Sequence, residues 1–153
     1  MKREQIVTQA RTWTGSPYRH MGRSKTQGVD CMGFIIGVAE ELGYADIDAP
    51  THYTTAPNGV ELLAGCEKNL VRVERDLEAI RFNDLMSLKS GDILVFWGFT
   101  RGTAQHFAFV SDLGIRKTML HAWSKHGSVV EHGIMDHWAR RVLAVFNFPQ
   151  TED

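Results

Sequence analysis

The N-terminal half of the chain repeats apolar side chains at the spacing of amphipathic helices. This pattern predicts one helix over residues 3–14 and a second over about residues 31–43. Asp30 lies where an N-cap residue belongs, and Gly43 is placed to end the second helix. A third helix is predicted to begin at Asn58, with an apolar face formed by Leu62, Leu63, Cys66 and Leu70. The polar segment 16–29 and the proline-containing segment 45–57 are predicted to be loops.

After Gly91 the pattern changes to short runs of β-branched and aromatic residues separated by turns. These runs predict strands at residues 92–97, 106–112, 118–123, 128–131 and 141–148. Helices followed by strands are typical of an α+β fold. We therefore expect N-terminal helices packed on one side of a C-terminal antiparallel β-sheet.

Composition and charge exclude several classes of protein. The 153 residues suit one domain, and 43% hydrophobic content is typical of a globular chain. With 17 basic and 18 acidic residues, the chain has no charge excess that would favour nucleic acid or an acidic membrane. It contains no apolar run of the ~18 residues that a membrane span needs and no signal-peptide stretch. Two cysteines are too few for a disulfide scaffold.

Cys31 directly follows the predicted cap and therefore lies in the first turn of the second helix. Unpaired N–H groups and the helix dipole favour negative charge there. A nearby imidazolium can lower a cysteine pKa from ~8.5 to roughly 3.5–7.5 and produce a nucleophilic thiolate. The sequence leaves open the commoner alternative, in which Cys31 is a small buried hydrophobic residue.

Two histidines on predicted strands could act with this cysteine. Strand alternation places His106 on one face with Ala108 and Val110, and it places His121 on one face with Met119 and Trp123. If the two strands are neighbours, His121 could bond the far ring nitrogen of His106 and fix its tautomer. The alternative is that His106 is a core histidine with satisfied hydrogen bonds.

Four segments carry a resemblance to a known family. They are ARTWTGSPYRHMGRSKTQGVDCMGF (10–34), LKSGDILVFW (88–97), AQHFAFVSD (104–112) and MLHAWSKHGSVVEH (119–132). Together they resemble the NlpC-type cell-wall cysteine peptidases, which have a minimal papain-like fold. The chain is most similar to the stand-alone members from phage tails and gene-transfer agents. The resemblance implies one domain over residues 1–153 and is weakest over 45–87.

The resemblance implies a role for each matching residue. Cys31 would be the nucleophile, His106 the general base and then the acid, and His121 the polar residue that orients His106. Tyr18 would line the site and help to hold the oxyanion, and Asp30 matches the acidic neighbour of the cysteine. Gly33 also matches, at a position where helix and sheet would pack closely. Met32 departs from the pattern, because many members have serine there. His20 is either a cleft residue or an exposed loop histidine.

The implied reaction is amide hydrolysis through an acyl-enzyme, without cofactor. The substrates would be peptidoglycan stem peptides, commonly cut between D-γ-glutamate and a diamino acid. The lack of a signal peptide fits synthesis in the cytoplasm and delivery to the bacterial wall by a virion, bound to a larger tail protein. Two other functions stay open: a tail-tip assembly component with secondary or lapsed activity, and an amidase or acyl-transferase acting on small amides or lipids.

The remaining histidines and the second cysteine are given structural interpretations. His121, His126, His132 and His137 are spaced by five, six and five residues, which matches no zinc motif. We therefore predict no metal site, and we predict that His126, His132 and His137 are surface or rim residues. Cys66 is interpreted as a packed thiol, and the alternative of a Cys31–Cys66 disulfide would abolish the nucleophile.

Overall fold

The computed structural model describes residues 1–49, 59–98 and 103–153. Within these ranges the helices are α1 (Arg3–Arg11), α2 (Cys31–Glu41), α3 (Gly59–Asn69), α4 (Leu77–Arg81) and α5 (Asp136–Ala139). The strands are β1 (Arg23–Ser24), β2 (Gly28–Val29), β3 (Val71–Arg72), β4 (Ile93–Trp97), β5 (Ala104–Leu113), β6 (Arg116–Trp123), β7 (Ser128–Gly133) and β8 (Val142–Asn147). None of the described helices has the length and hydrophobicity that crossing a bilayer requires.

The described strands form one large sheet and one small ribbon. The large sheet has the order β3-β8-β4-β5-β6-β7, and each neighbouring pair is antiparallel. The ribbon consists of β1 and β2. The predicted α+β arrangement is confirmed, because the five predicted strands all belong to the large sheet.

Each face of the large sheet buries its own hydrophobic core. On one face α1, α2 and α3 pack on side chains such as Phe107 and Phe109 of β5. On the other face α4 and α5 pack on Ala108 and Val110 of the same strand. Strand alternation explains this division, because neighbouring residues point to opposite faces. The sequence pattern predicted the first layer and missed the short helices of the second.

The two ends of α2 follow the predicted capping chemistry. Asp30 caps the helix, since its Oδ1 accepts a hydrogen bond from the Gly33 N–H at 2.8 Å. At the other end Gly43 has φ +91°, and the N–H groups of Gly43 and Tyr44 donate to the carbonyls of Glu40 and Ala39. This is a Schellman ending, which a residue with free access to positive φ favours.

Three local predictions differ from the structure or lie outside it. Helix α1 ends at Arg11 rather than residue 14, and Thr14 is exposed rather than on the apolar face. The segment 16–29 is not only loop, because it contains the ribbon of β1 and β2. The predicted start of α3 at Asn58 lies outside the described residues.

Gly33 allows α2 to approach the segment that contains this ribbon. A Cβ at Gly33 would lie 2.1 Å from the Gly22 carbonyl oxygen and 2.9 Å from Cγ2 of Val29. The predicted close approach is therefore present, but its partners are the backbone at Gly22 and strand β2 rather than the large sheet. This contact fixes the N-terminus of α2, and with it Cys31, against the segment that carries Tyr18.

Candidate active site

A cleft of about 440 Å³ opens where the N-terminus of α2 meets the end of β5. Its volume is within the range of small-molecule and peptide-group binding sites. The residues predicted for the site that line it are Tyr18, His20, Asp30, Cys31 and His106. The structure thus brings five of the six together from distant parts of the chain. The sixth, His121, lies directly behind His106.

Asp30 is held by the backbone around the start of α2. Besides capping Gly33, its Oδ2 accepts the Met21 N–H at 2.8 Å, and the side chain is only 2% exposed. Both carboxylate oxygens are therefore used inside the protein. Asp30 therefore has a structural role, as the predicted cap of α2 and as the acceptor of the Met21 N–H.

The sulfur of Cys31 lies beside the main chain of β5. Backbone N–H groups of Phe107, Met32 and Cys31 itself interact with it. Phe107 immediately follows His106, so the thiol contacts the strand one residue beyond the predicted base. Two elements with no sequence proximity, the first turn of α2 and one end of β5, therefore meet at this sulfur.

Burial favours the neutral forms of both Cys31 and His106. It raises the pKa of the Cys31 thiol to about 12, with a further contribution from the negative charge of Asp30, and the three N–H groups only partly oppose this. Burial also lowers the pKa of His106 to about 3, assisted by the positive charge of Arg141. Burial therefore opposes the thiolate–imidazolium pair that the helix N-terminus and a nearby imidazolium would favour.

Behind His106, three imidazoles are joined end to end, and we call them the histidine row: His106, His121 and His132. Nε2 of His106 lies 2.7 Å from Nδ1 of His121, which is the hydrogen bond predicted from the strand pattern. Nε2 of His121 lies 2.7 Å from Nε2 of His132, and Nδ1 of His132 lies 2.8 Å from the carbonyl oxygen of Gly133.

His132 was predicted to be a surface or rim residue, and this prediction is wrong. It is half-buried and takes part in the histidine row, because β7 pairs with β6 and places it beside His121. His126 and His137 are exposed, as predicted, and His137 lies at the rim of the cleft. Within residues 1–49, 59–98 and 103–153, no three His, Cys, Asp or Glu side chains are grouped so as to hold a metal ion.

Aromatic rings enclose the histidine row. The ring of Trp138, on α5, lies 5.1 Å from the rings of both His106 and His121, centroid to centroid. Trp123 stacks on His121 at 5.4 Å, and His121 itself is fully buried. Burial, followed by the neighbouring histidines of the row and His126, lowers the pKa of His121 to about 2. The sequence pattern does not predict α5, so it gave no signal for the position of Trp138 in this enclosure.

Tyr18 faces the same cleft as Cys31. Burial raises the pKa of its hydroxyl to about 12, and negative charge on the Cys31 sulfur or on the Asp30 carboxylate raises this pKa further. The hydroxyl therefore stays protonated and can donate a hydrogen bond near neutral pH. Its backbone N–H donates to the Gly127 carbonyl at 2.8 Å, which links this loop to the turn between β6 and β7.

The rim of the cleft carries positive charge. Lys125 and Arg141 both line it, and the Arg141 guanidinium lies 4.7 Å above the Trp138 ring while its Nε donates to the His137 carbonyl. Among the carboxylates in the described part of the chain, none forms an ion pair with either residue. The charge of Arg141 is therefore available to a ligand.

A second, apolar cavity of about 150 Å³ lies between α2 and α3. It shares Met32, Leu62 and Phe107 with the cleft. Cys66 lines it as a buried free thiol, as predicted, and Cys31 is also free. The two cysteines therefore do not form the disulfide considered as an alternative.

Comparison with solved structures identifies the fold. The NlpC/p60 domain of the peptidoglycan hydrolase SagA superimposes with a TM-score of 0.60 at 23% identity, over 97% of this chain and 100% of that one. An NlpC/P60 family protein from Bacillus cereus gives a TM-score of 0.64 at 19% identity. A lipoprotein-like NLP/P60 family protein from Staphylococcus aureus gives 0.60 at 17%. The chain has the NlpC/p60 fold.

Because the sequence identities are below 25%, these similarities support the fold alone. This chain covers 40% of the Bacillus cereus protein and 41% of the Staphylococcus aureus protein, although 95% of this chain is matched in each case. No family model and no curated protein matches the sequence. The resemblance found in the sequence is thus confirmed for the NlpC/p60 fold, and the similarity to phage-tail members stays a prediction.

Proposed function

We propose that this chain is a cysteine peptidase that hydrolyses amide bonds in the stem peptides of peptidoglycan. The observation that carries the proposal is the position of the Cys31 thiol, which lies beside the main chain of Phe107, the residue after His106, and in the same cleft as His106, whose ring is bonded to His121. A nucleophile, a base and a residue that orients the base are the parts that amide hydrolysis through an acyl-enzyme needs.

The neutral resting pair sets the order of the chemical steps. His106 removes the thiol proton as the sulfur attacks the carbonyl, so the imidazolium forms together with the oxyanion of the tetrahedral intermediate. The backbone N–H of Cys31 and the Tyr18 hydroxyl would hold the oxyanion, at about 3–4 kcal/mol for each well-placed donor. His106 then protonates the leaving amine, and afterwards it activates the water that hydrolyses the thioester.

The choice of peptidoglycan rests on two supports. One of the structural neighbours, SagA, is a peptidoglycan hydrolase. In addition, the rim places Lys125 and Arg141 where the free carboxylates of a stem peptide could bind. Cleavage between D-γ-glutamate and a diamino acid is the finer form of the proposal, and it comes from the sequence resemblance alone.

The test is incubation of the purified protein with defined muropeptides, with the products identified by mass spectrometry. We expect one amide to be cleaved, with no cleavage by the Cys31→Ala variant. The masses of the two fragments report which bond was cut. If the folded protein leaves every muropeptide intact while its thiol still reacts with an alkylating agent, the proposal is wrong.

A second candidate is an amidase or acyl-transferase that accepts apolar acyl groups. The observation that favours it is the apolar cavity, which shares Met32, Leu62 and Phe107 with the cleft. Short-chain and medium-chain N-acyl amides test this candidate directly. Turnover of these amides in preference to muropeptides would support the second function over the first.

We also propose that a larger tail protein carries the chain to the wall, as the similarity to phage-tail members implies. Isolation of native particles with the chain bound to a tail protein would support this. A Cys31→Ala particle that assembles and infects normally would instead favour the role of an assembly component.

A further inference from the structure

The hydrogen bonds of the histidine row have only one possible direction when its three rings are neutral. The Gly133 carbonyl can only accept, so Nδ1 of His132, at 2.8 Å, must carry the hydrogen. A neutral imidazole carries one ring hydrogen, and Nε2 of His132 is therefore an acceptor. The hydrogen between His121 and His132 must then belong to Nε2 of His121.

The same reasoning extends to the base. Because His121 carries its hydrogen on Nε2, its Nδ1 accepts from Nε2 of His106 across 2.7 Å. His106 then has no hydrogen on Nδ1. The nitrogen that is not bonded to His121 is therefore an unprotonated base.

From this geometry we infer that His132 is a positioning residue that sets the tautomers of His121 and His106 and so keeps Nδ1 of His106 ready to accept the Cys31 proton. The inference rests on the proposed function, in which His106 is the general base. His132 is not among the residues that line the cleft, and its hydrogen bonds go to His121 and Gly133, so it acts on His106 through the ring of His121. It extends the site by one residue and one backbone carbonyl beyond Cys31, His106 and His121.

The sheet holds His132 in the place that this role needs. In the β6–β7 pair, His132 is opposite Met119, which is two residues from His121 on the same face of β6. The row lies under Trp123, whose ring is 5.4 Å from His121 and 5.6 Å from His132. Water is therefore a poor substitute for the acceptor that His132 provides to the fully buried His121.

Loss of the His132 acceptor would allow the other two rings of the histidine row to adopt a second set of tautomers. The buried Nε2–H of His121 would have no partner, which is costly in an enclosed site. The reversed arrangement then competes: His121 donates from Nδ1 to Nε2 of His106, and His106 carries its hydrogen on Nδ1. In that arrangement His106 cannot remove the thiol proton. No atom is lost or gained, because each neutral ring keeps one hydrogen.

The test compares His132→Leu with His132→Gln. Leucine fills the space without an acceptor, whereas the Gln side-chain oxygen can reach the position of the imidazole Nε2 and accept from His121. We expect kcat for muropeptide hydrolysis to fall about tenfold in His132→Leu with KM unchanged, and most of it to return in His132→Gln. His126→Leu is the matched control, because His126 is an exposed histidine of the same hairpin, outside the histidine row and the cleft lining.

A second measurement does not depend on turnover. Nitrogen NMR of ¹⁵N-histidine protein identifies the protonated ring nitrogen of each imidazole. We expect hydrogen on Nε2 of His106 and His121 in the wild type, and a mixture of tautomers in His132→Leu. A wild type that cleaves no muropeptide would contradict the proposed function, and these spectra would still decide the role of His132.

Three results would overturn the inference. They are a wild-type row with the hydrogen of His106 on Nδ1, a His132→Leu variant with unchanged kcat and unchanged tautomers, and a His132→Gln variant as impaired as His132→Leu. The last result would show that packing of the imidazole, rather than its acceptor nitrogen, is what matters.

Discussion

His106 and His121 contact each other across neighbouring antiparallel strands, with Nε2 of the first 2.7 Å from Nδ1 of the second. One nitrogen of His106 is thereby occupied, and the other is left for chemistry at Cys31. The contact depends on the β5–β6 register, in which Phe109 is opposite Leu120. A shift of one residue would turn His121 to the opposite face and separate the rings.

Replacing the nucleophile should separate activity from stability. We expect Cys31→Ala to show no hydrolysis above background and to keep a thermal midpoint close to the wild type, because alanine is only slightly smaller than the thiol. The comparison requires turnover of a muropeptide and a thermal melt on the same samples. Cys66→Ala is the control, since that thiol lies in the apolar cavity, and it should retain turnover. Substantial turnover by Cys31→Ala would remove Cys31 from the mechanism.

Substitution of the base, His106, should lower kcat more than substitution of its partner, His121. We expect His106→Ala to lower kcat by ~10²–10⁴, which is the usual contribution of general acid–base catalysis. His121→Ala should be milder because it orients the base without taking the proton. His121→Asn should be milder still, since its amide oxygen can accept from Nε2 of His106. Steady-state kinetics of the three variants measure this order, and equal losses in all three would contradict it.

The parts of the site that need at most one strand pairing were predictable, and the parts that need a second strand pairing or the packing of separate layers were not. The cap by Asp30 involves residues three positions apart, and the contact of His106 with His121 needs only a simple hairpin. His132 was missed because its contact depends on the pairing of β6 with β7, which the sequence does not specify. The extent to which burial opposes ionisation of Cys31 could not be predicted for a related reason, because this burial comes from packing of β5 against α2.

The same distinction separates the helices and strands that could be predicted from those that could not. The amphipathic pattern of α2 and the five main strands were recognisable because each buries a continuous face. Helices α4 and α5 are five and four residues long, too short to show a helical period. The contact of Gly33 with Gly22 is one of backbone against backbone, which leaves no hydrophobic pattern in the sequence.

The pH dependence of alkylation tests the neutral resting state. Because burial raises the pKa of Cys31 to about 12, the reactive thiolate should accumulate only well above the ordinary cysteine value of ~8.5. In a Cys66→Ala background we expect slow reaction with iodoacetamide at pH 7 and a rate that still rises above pH 9. A rate that reaches its plateau below pH 7, and loses that plateau in His106→Ala, would show a resting ion pair instead.

Buried neutral histidines should also make folding stability depend on pH. The pKa of His121 is lowered to about 2 in the folded protein, against about 6.5 in the unfolded chain. Below pH 6.5 the unfolded chain therefore binds a proton that the folded protein does not. The free energy of unfolding should fall as pH decreases, by up to about 1.4 kcal/mol per pH unit for each such histidine.

Urea denaturation of the wild type and of His121→Asn between pH 7.5 and 5 measures this dependence. We expect the variant to have the smaller slope, because it lacks one of the histidines that must stay neutral. Substituting the exposed His137 in the same way should leave the slope unchanged. Identical slopes in the wild type and His121→Asn would mean that His121 is protonated in the folded protein.

Arg141 should contribute to substrate binding more than to the chemical step. Its guanidinium stacks over Trp138 at the rim and has no carboxylate partner among the described residues, so a free carboxylate of the stem peptide could bind there. We expect Arg141→Gln to raise KM about tenfold, which corresponds to ~1.4 kcal/mol, close to the lower end of the usual range for a hydrogen bond to a charged group. The matched control is Arg140→Gln, because Arg140 is exposed and does not line the cleft. A muropeptide with that carboxylate amidated should bind the wild type and Arg141→Gln equally. If the tenfold difference in KM persists with the amidated substrate, Arg141 acts on something other than this carboxylate.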